Sequence, residues 1–194
     1  MGQNLRTFVA IKIQPGPELQ GFIDQCRKVF DKEAIKWVEG NNLHLTLKFL
    51  GETSEKQVGE IIDVLKNISD RFQPFSFKLN GPGYFKSKGL PRVLLVYISD
   101  SGQMKMIAGE LENQLYDLGF ERETREFRPH LTLGRIKFLK DKKRFYQFVE
   151  KYKNEVVQVV PVSEIIFYQS ILKPQGPEYI PLKVVQFHKK LVLK

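Results

Sequence analysis

One tetrapeptide occurs twice. His44-Leu45-Thr46-Leu47 and His130-Leu131-Thr132-Leu133 are identical and lie 86 residues apart (130 − 44). The chain holds 3 histidines, and two of them open this motif. With ordinary residue usage, a given histidine is followed by Leu-Thr-Leu about once in a few thousand cases. A doublet in one small chain calls for duplication or for function, and either one constrains the fold.

Read as strands, the two copies have a polarity, because side chains alternate between the faces of a strand. Leu43, Leu45 and Leu47 share one face of the first copy; His44, Thr46 and Lys48 share the other. In the second copy Leu131 and Leu133 lie opposite His130 and Thr132. The leucine faces require a core. The His/Thr faces are left for a cleft, where two imidazoles and two hydroxyls could take one proton, give another and hold an anionic oxygen.

The 194 residues, 42% hydrophobic, suffice for one domain or for two lobes around a shared core. No apolar run reaches membrane-spanning length, and the first residues lack the apolar stretch of a signal peptide. The single cysteine, Cys26, excludes an internal disulfide and points to a reducing, cytoplasmic setting without membrane association. A net charge of +9 favours an anionic partner such as nucleic acid or a nucleotide.

The remaining pattern is mixed. Strands are expected at Leu5 to Ile13, Trp37-Val38, Phe75 to Leu79, Arg92 to Ser99, Val156 to Val160, Ile165 to Ser170 and Leu182 to Leu193. Helices are expected at Glu18 to Phe30, from a cap at Thr53 or Ser54 to about Ile68, at Met104 to Leu118, and at Lys142 to Lys153. Gly40-Asn41-Asn42 and Gly81-Pro82-Gly83 read as turns, and Lys173 to Pro181 as a Pro/Gly-rich loop. The strand after Val156 leads into the next through Pro161. No regular βαβ beat is present, so the class is α+β with largely antiparallel sheet. A helix, a His-Leu-Thr-Leu strand, a helix and further strands recur, as two similar lobes would require.

Paired histidines suit acid–base work, since the ordinary imidazole pKa lies near neutrality. One neutral ring can deprotonate water while one imidazolium protonates a leaving oxygen. Thr46 and Thr132 can donate to phosphate oxygens, and Lys48 and Arg135 can add positive charge. Strict alternation turns Arg135 away from His130 unless the strand bulges. Two histidines without nearby carboxylates are a poor metal shell, so neither a metal nor a cofactor is expected. His188 has no partner pattern and reads as a surface residue. The cluster Lys137, Lys140, Lys142, Lys143 and Arg144 reads equally as an RNA-facing patch or a solvated helix start.

The sequence resembles the two-histidine (2H) phosphoesterase family, in its bacterial and archaeal RNA 2′,3′-cyclic phosphodiesterase branch, also called 2′-5′ RNA ligase. The resemblance runs through Arg6 to Ile11, Trp37-Val38, Asn42 to Gly51, Arg128 to Arg135, Tyr168 to Leu172 and Gly176 to Tyr179. The Lys86 to Gly89 turn lacks a proline common there in the family. The resemblance implies a bilobal, pseudo-symmetric α+β fold with helices outside and largely antiparallel sheets lining a central cleft, residues 1–194 forming a single domain of two intertwined lobes. It implies metal-independent hydrolysis of RNA 2′,3′-cyclic phosphate ends to 2′-phosphomonoesters. His44 is then the proton donor and His130 the proton acceptor. Thr46, Thr132 and Arg135 bind the phosphate, and aromatic side chains at the cleft mouth, such as Phe49, Phe85 or Tyr168, stack on a base. The partner is an RNA or nucleotide with a 2′,3′-cyclic phosphate end, and the protein a monomer. Ligation through a 2′-5′ linkage in the same cleft, or a non-catalytic RNA-binding module, are the alternatives.

Overall fold

Two antiparallel sheets carry the chain. The computed structural model describes residues 4–188. One sheet has the order β3 (His44–Thr53), β1 (Leu5–Lys12), β8 (Glu164–Lys173), β9 (Gly176–Gln186). The other has the order β2 (Ala34–Trp37), β6 (His130–Phe138), β5 (Leu90–Ser99), β4 (Phe75–Ser87), β7 (Gln158–Val162). The helices are α1 (Pro17–Val29), α2 (Glu55–Arg71), α3 (Gln103–Tyr116) and α4 (Lys142–Tyr152).

The helix starts follow local chemistry. Pro17 opens α1, where a missing N–H costs nothing. Ser54 caps α2 in a reciprocal capping box with Gln57. Asp141 accepts from the Arg144 N–H at the start of α4. Each helix presents an apolar stripe to one core: Leu19, Phe22, Ile23 and Cys26 from α1; Ile61, Leu65 and Ile68 from α2; Ile107, Leu111 and Leu115 from α3; Phe145 and Phe148 from α4. Burial pushes the Cys26 thiol up to about 12, so it stays protonated as core filler.

The duplication is visible in the topology. In the first half a strand (β1) leads through α1 to the histidine strand β3, which returns beside β1. In the second half β5 leads through α3 to β6, which returns beside β5. The halves also exchange strands. β4 follows α2 in the first half yet pairs with β5, and β8 follows α4 in the second half yet pairs with β1. β2 likewise crosses over to pair with β6.

Strict alternation fails at the same place in both motifs. Val9 pairs with Lys48 and Ala10 with Thr46, so Leu47 is an extra residue. Leu94 pairs with Gly134 and Leu95 with Thr132, so Leu133 is its counterpart. Each bulge flips the faces that follow. Lys48 turns into the protein and is buried, against the expectation that it shares the His44 face. Gly134 turns the same way, where a Cβ would lie 2.7 Å from Ile35 Cγ2. Phe49 and Arg135 come round to the histidine face instead.

Other expectations need correction. Gly81-Pro82-Gly83 is not a turn; β4 runs through it with a register shift. A Cβ on Gly81 would lie 2.0 Å from the Tyr152 carbonyl oxygen, and one on Gly83 would lie 2.1 Å from the Tyr97 ring, so these glycines serve close packing inside a strand. The chain reverses at Lys88 and Gly89, both with positive φ (50° and 76°), as a two-residue hairpin requires. The loop expected over Lys173 to Pro181 is a tight hairpin between β8 and β9, since the edge strand β9 accommodates Pro177 and Pro181. β7 does not continue into β8; the two strands belong to different sheets. The last expected strand ends at Gln186, and its remainder lies outside the described residues beyond His188, an exposed residue 3.7 Å from Asp70.

Candidate active site

The two histidine strands bring their polar faces together. β3 is the edge of the first sheet, and it runs against β6 of the second. The leucines of both motifs are buried in the common core, while His44, Thr46, His130 and Thr132 are half-buried on the opposite faces. The floor on the β3 side is a separate small apolar cluster of Phe8, Ala10, Ile166 and Tyr168, with Tyr179 packed on it.

Both imidazoles are held in the same way. His44 Nδ1 lies 2.7 Å from the Asn42 carbonyl oxygen, and His130 Nδ1 lies 2.8 Å from the Arg128 carbonyl oxygen. A carbonyl only accepts, so Nδ1 carries the hydrogen in each ring. The neutral tautomer then leaves an Nε2 lone pair free. The Asn42 side chain donates to the Pro177 carbonyl, anchoring this turn to β9. Aromatic rings fix the tilt: Tyr179 meets His44 edge-on with centroids 5.0 Å apart, Phe8 lies 5.2 Å from His44, and Phe85 meets His130 edge-on at 4.7 Å.

Burial pushes both imidazoles below the usual histidine pKa, with the carbonyl hydrogen bonds opposing it. His130 also lowers His44 by charge repulsion, so the rings are within electrostatic reach of each other. Double protonation of the pair is thereby disfavoured. Tyr168 and Tyr179 are pushed up by burial and remain hydroxyl donors.

Arg135 is exposed on the histidine face of the second sheet, and its charge acts on Tyr179, which touches His44 within the first. Arg6 acts on Tyr179 from β1. Lys12 pairs with His44 and Lys36 with Arg135, so both share those faces. Sequence reading missed Arg6, Lys12 and Lys36. The signal was present for two of them, since Arg6 and Lys12 alternate with Phe8 and Ala10 along one strand. Phe49 is 66% exposed beside Phe8 and offers a free ring face. Tyr168 is buried, with its ring stacked on Phe8 at 5.2 Å, so it forms wall rather than an open platform. Lys48 is withdrawn from the cleft altogether. The basic start of α4 lies behind the second sheet, because Phe145 packs on Tyr84 while the next β4 residue, Phe85, meets His130 on the other face.

A cavity of about 300 Å³ opens beside His44, bounded in part by Lys12, Asn41, Tyr168 and Tyr179. Among the described residues, no group of three or more His, Cys, Asp or Glu side chains could hold a metal ion. No helix among them is long and apolar enough to cross a membrane.

Two bulged strands presenting paired His-x-Thr faces across a cleft define the two-histidine phosphoesterase class. The chain belongs to the LigT-like phosphoesterase family, whose model matches residues 11–95 and again 97–179. His44 and His130 each lie 33 residues past the start of their segment (44 − 11 and 130 − 97), so the internal duplication and the family repeat coincide. The RNA 2′,3′-cyclic phosphodiesterase of Methanocaldococcus jannaschii is 36% identical over 92% of this chain and 99% of its own. That of Archaeoglobus fulgidus is also 36% identical, over 94% and 100%. The crystal structure of TT0787 of Thermus thermophilus superposes with TM-score 0.78 at 25% identity, covering 94% of this chain and 98% of that one. Escherichia coli LigT complexed with 3′-AMP superposes with TM-score 0.75 at 25% identity, covering 96% and 100%.

Proposed function

We propose that the protein hydrolyses RNA 2′,3′-cyclic phosphodiester ends to 2′-phosphomonoesters, with His44 as acid and His130 as base. The observation that carries this reading is the matched pair of carbonyl-tethered imidazoles, each with Nε2 left for chemistry. Relatives named for that activity, similar over nearly their whole length, support the substrate class.

Water attacks phosphorus in line with the bond to the 3′ oxygen. His130 Nε2 takes the water proton as the new P–O bond forms. His44 Nε2–H gives its proton to the 3′ oxygen as the P–O3′ bond breaks, leaving a 3′ hydroxyl and a 2′ phosphate. The pair ends with the proton on the other ring and resets through solvent. Thr46 and Thr132 donate to the non-bridging oxygens, and Arg135 neutralises their charge. The terminal nucleoside occupies the cavity beside His44, whose size is at the low end for ligand pockets. Phe49 stacks on a neighbouring base. The whole chain works as one domain and as a monomer; the lone buried Cys26 suits a reducing, cytoplasmic setting.

The test is to incubate the protein with an RNA oligomer ending in a 2′,3′-cyclic phosphate, with and without EDTA, and to identify the product. A 2′-phosphate formed at the same rate with chelator is expected. A 3′-phosphate as product overturns the assignment of the scissile bond, and joined oligomers without hydrolysis overturn the hydrolase reading in favour of ligation. Binding without turnover leaves only an RNA-binding module.

A further inference from the structure

Lys48 is the one buried charged side chain among the described residues, 5% exposed. Burying an ammonium group is unfavourable unless its donors are met. Here Nζ donates to Glu112 Oε2 of α3 at 2.7 Å and to the Glu121 carbonyl oxygen at 2.7 Å. The same Glu112 oxygen accepts from the Glu123 N–H at 3.1 Å. Glu121 begins the connection that leads to Arg128, and the Arg128 carbonyl holds His130 Nδ1. One side chain thus joins the His44 strand to the segment that delivers the other histidine.

The two motif strands differ in what steadies them. β6 lies inside its sheet, flanked by β2 and β5. β3 is an edge strand with a strand neighbour, β1, on one side only. The residue of the second motif equivalent to Lys48 is Gly134, which has no side chain to anchor and lies close against β2. The strand without a second neighbour is the one that carries the buried cation, and the bulge at Leu47 turns that cation toward the other half of the molecule.

We propose that Lys48 is a positioning residue, setting the separation and facing of the two imidazoles by fastening β3 to α3 and to the start of the 121–129 connection. The kinetic part of the proposal rests on the hydrolase reading; the spectroscopic part does not. Lys48→Met alone strands the Glu112 carboxylate, so the variant that decides is Lys48→Met/Glu112→Gln, which removes both charges and keeps an amide oxygen for the Glu123 N–H.

In the double variant cooperative melting is retained, kcat falls on the order of tenfold to a hundredfold, and KM stays within about threefold, as misplacement of reacting groups requires. Lys48→Arg recovers part of the loss. In long-range ¹⁵N–¹H spectra at neutral pH, the wild-type His130 ring shows the Nδ1–H tautomer; in the double variant it becomes a mixture, while His188 is unchanged. Wild-type kcat in the double variant, or an unaltered His130 spectrum, overturns the proposal. A wild-type protein idle on the cyclic phosphate strikes the hydrolase reading alone, and the imidazole spectrum still decides Lys48.

Discussion

At the scale of single residues, the proposed acid–base pair, His44 and His130, reacts in the form that holds one proton. Both are depressed below about 6.5 by burial, so kcat/KM of the free enzyme is expected to peak on the acid side of that value. A bound phosphate anion favours the protonated ring, so the kcat profile should lie at higher pH than the kcat/KM profile. Initial rates from mildly acidic to mildly alkaline pH check both statements. His44→Ala and His130→Ala should each lower kcat on the order of a hundredfold or more with the fold intact by circular dichroism. If Arg135 holds the phosphate as proposed, Arg135→Met removes a charged hydrogen bond of about 1.5–3 kcal/mol, hence about ten- to a hundredfold in kcat/KM on the oligomer.

At the scale of elements, stability depends on two kinds of glycine. Gly81 lies within a strand with a helix-end carbonyl against it, and neither backbone can give way cheaply. Gly81→Ala should destabilise by about 3 kcal/mol, the upper part of the overpacking range. Gly59 lies on the exposed side of α2 with open space where a Cβ would go. Gly59→Ala should stabilise by about 1 kcal/mol, since alanine loses less backbone entropy in a helix. Urea titrations of the two variants should therefore move in opposite directions. The helices were legible because caps and apolar stripes are local: a cap at Thr53 or Ser54, and Phe145 with Phe148, can be read within a turn or two of chain. Gly81-Pro82-Gly83 misled because glycine and proline mark turns only when nothing packs on them.

At the scale of the whole molecule, the exchange of β4 and β8 makes each half incomplete. A fragment ending before β5 leaves β4 without its partner strand, and the remainder lacks β1 beside β8. Neither half is expected to fold alone, while the two co-expressed halves should associate; size-exclusion chromatography and circular dichroism check this. The depressed histidines also couple to global stability. Their folded pKa lies below the unfolded one, so unfolding takes up protons as pH falls from about 6.5, and stability is lost in that direction. A His44→Gln/His130→Gln protein should lose less Tm over the same acidification.

Sequence pattern alone made legible the His44/His130 doublet, the leucine faces that turn each motif strand to a core, the cap at Thr53 or Ser54 and the α+β class. Each of these is a matter of periodicity or of contacts within a few residues. Long-range strand pairing turned Lys48 inward and brought Phe49 and Arg135 round to the cleft. Tertiary packing alone placed Lys12 beside His44, Arg6 within electrostatic reach of Tyr179, and Lys36 beside Arg135. A bulge is set by how a strand pairs with its neighbour, and that neighbour is remote in sequence: Val9 for Lys48, Leu94 for Gly134. One extra residue in the ladder reverses every face beyond it, and no local pattern records where that residue falls.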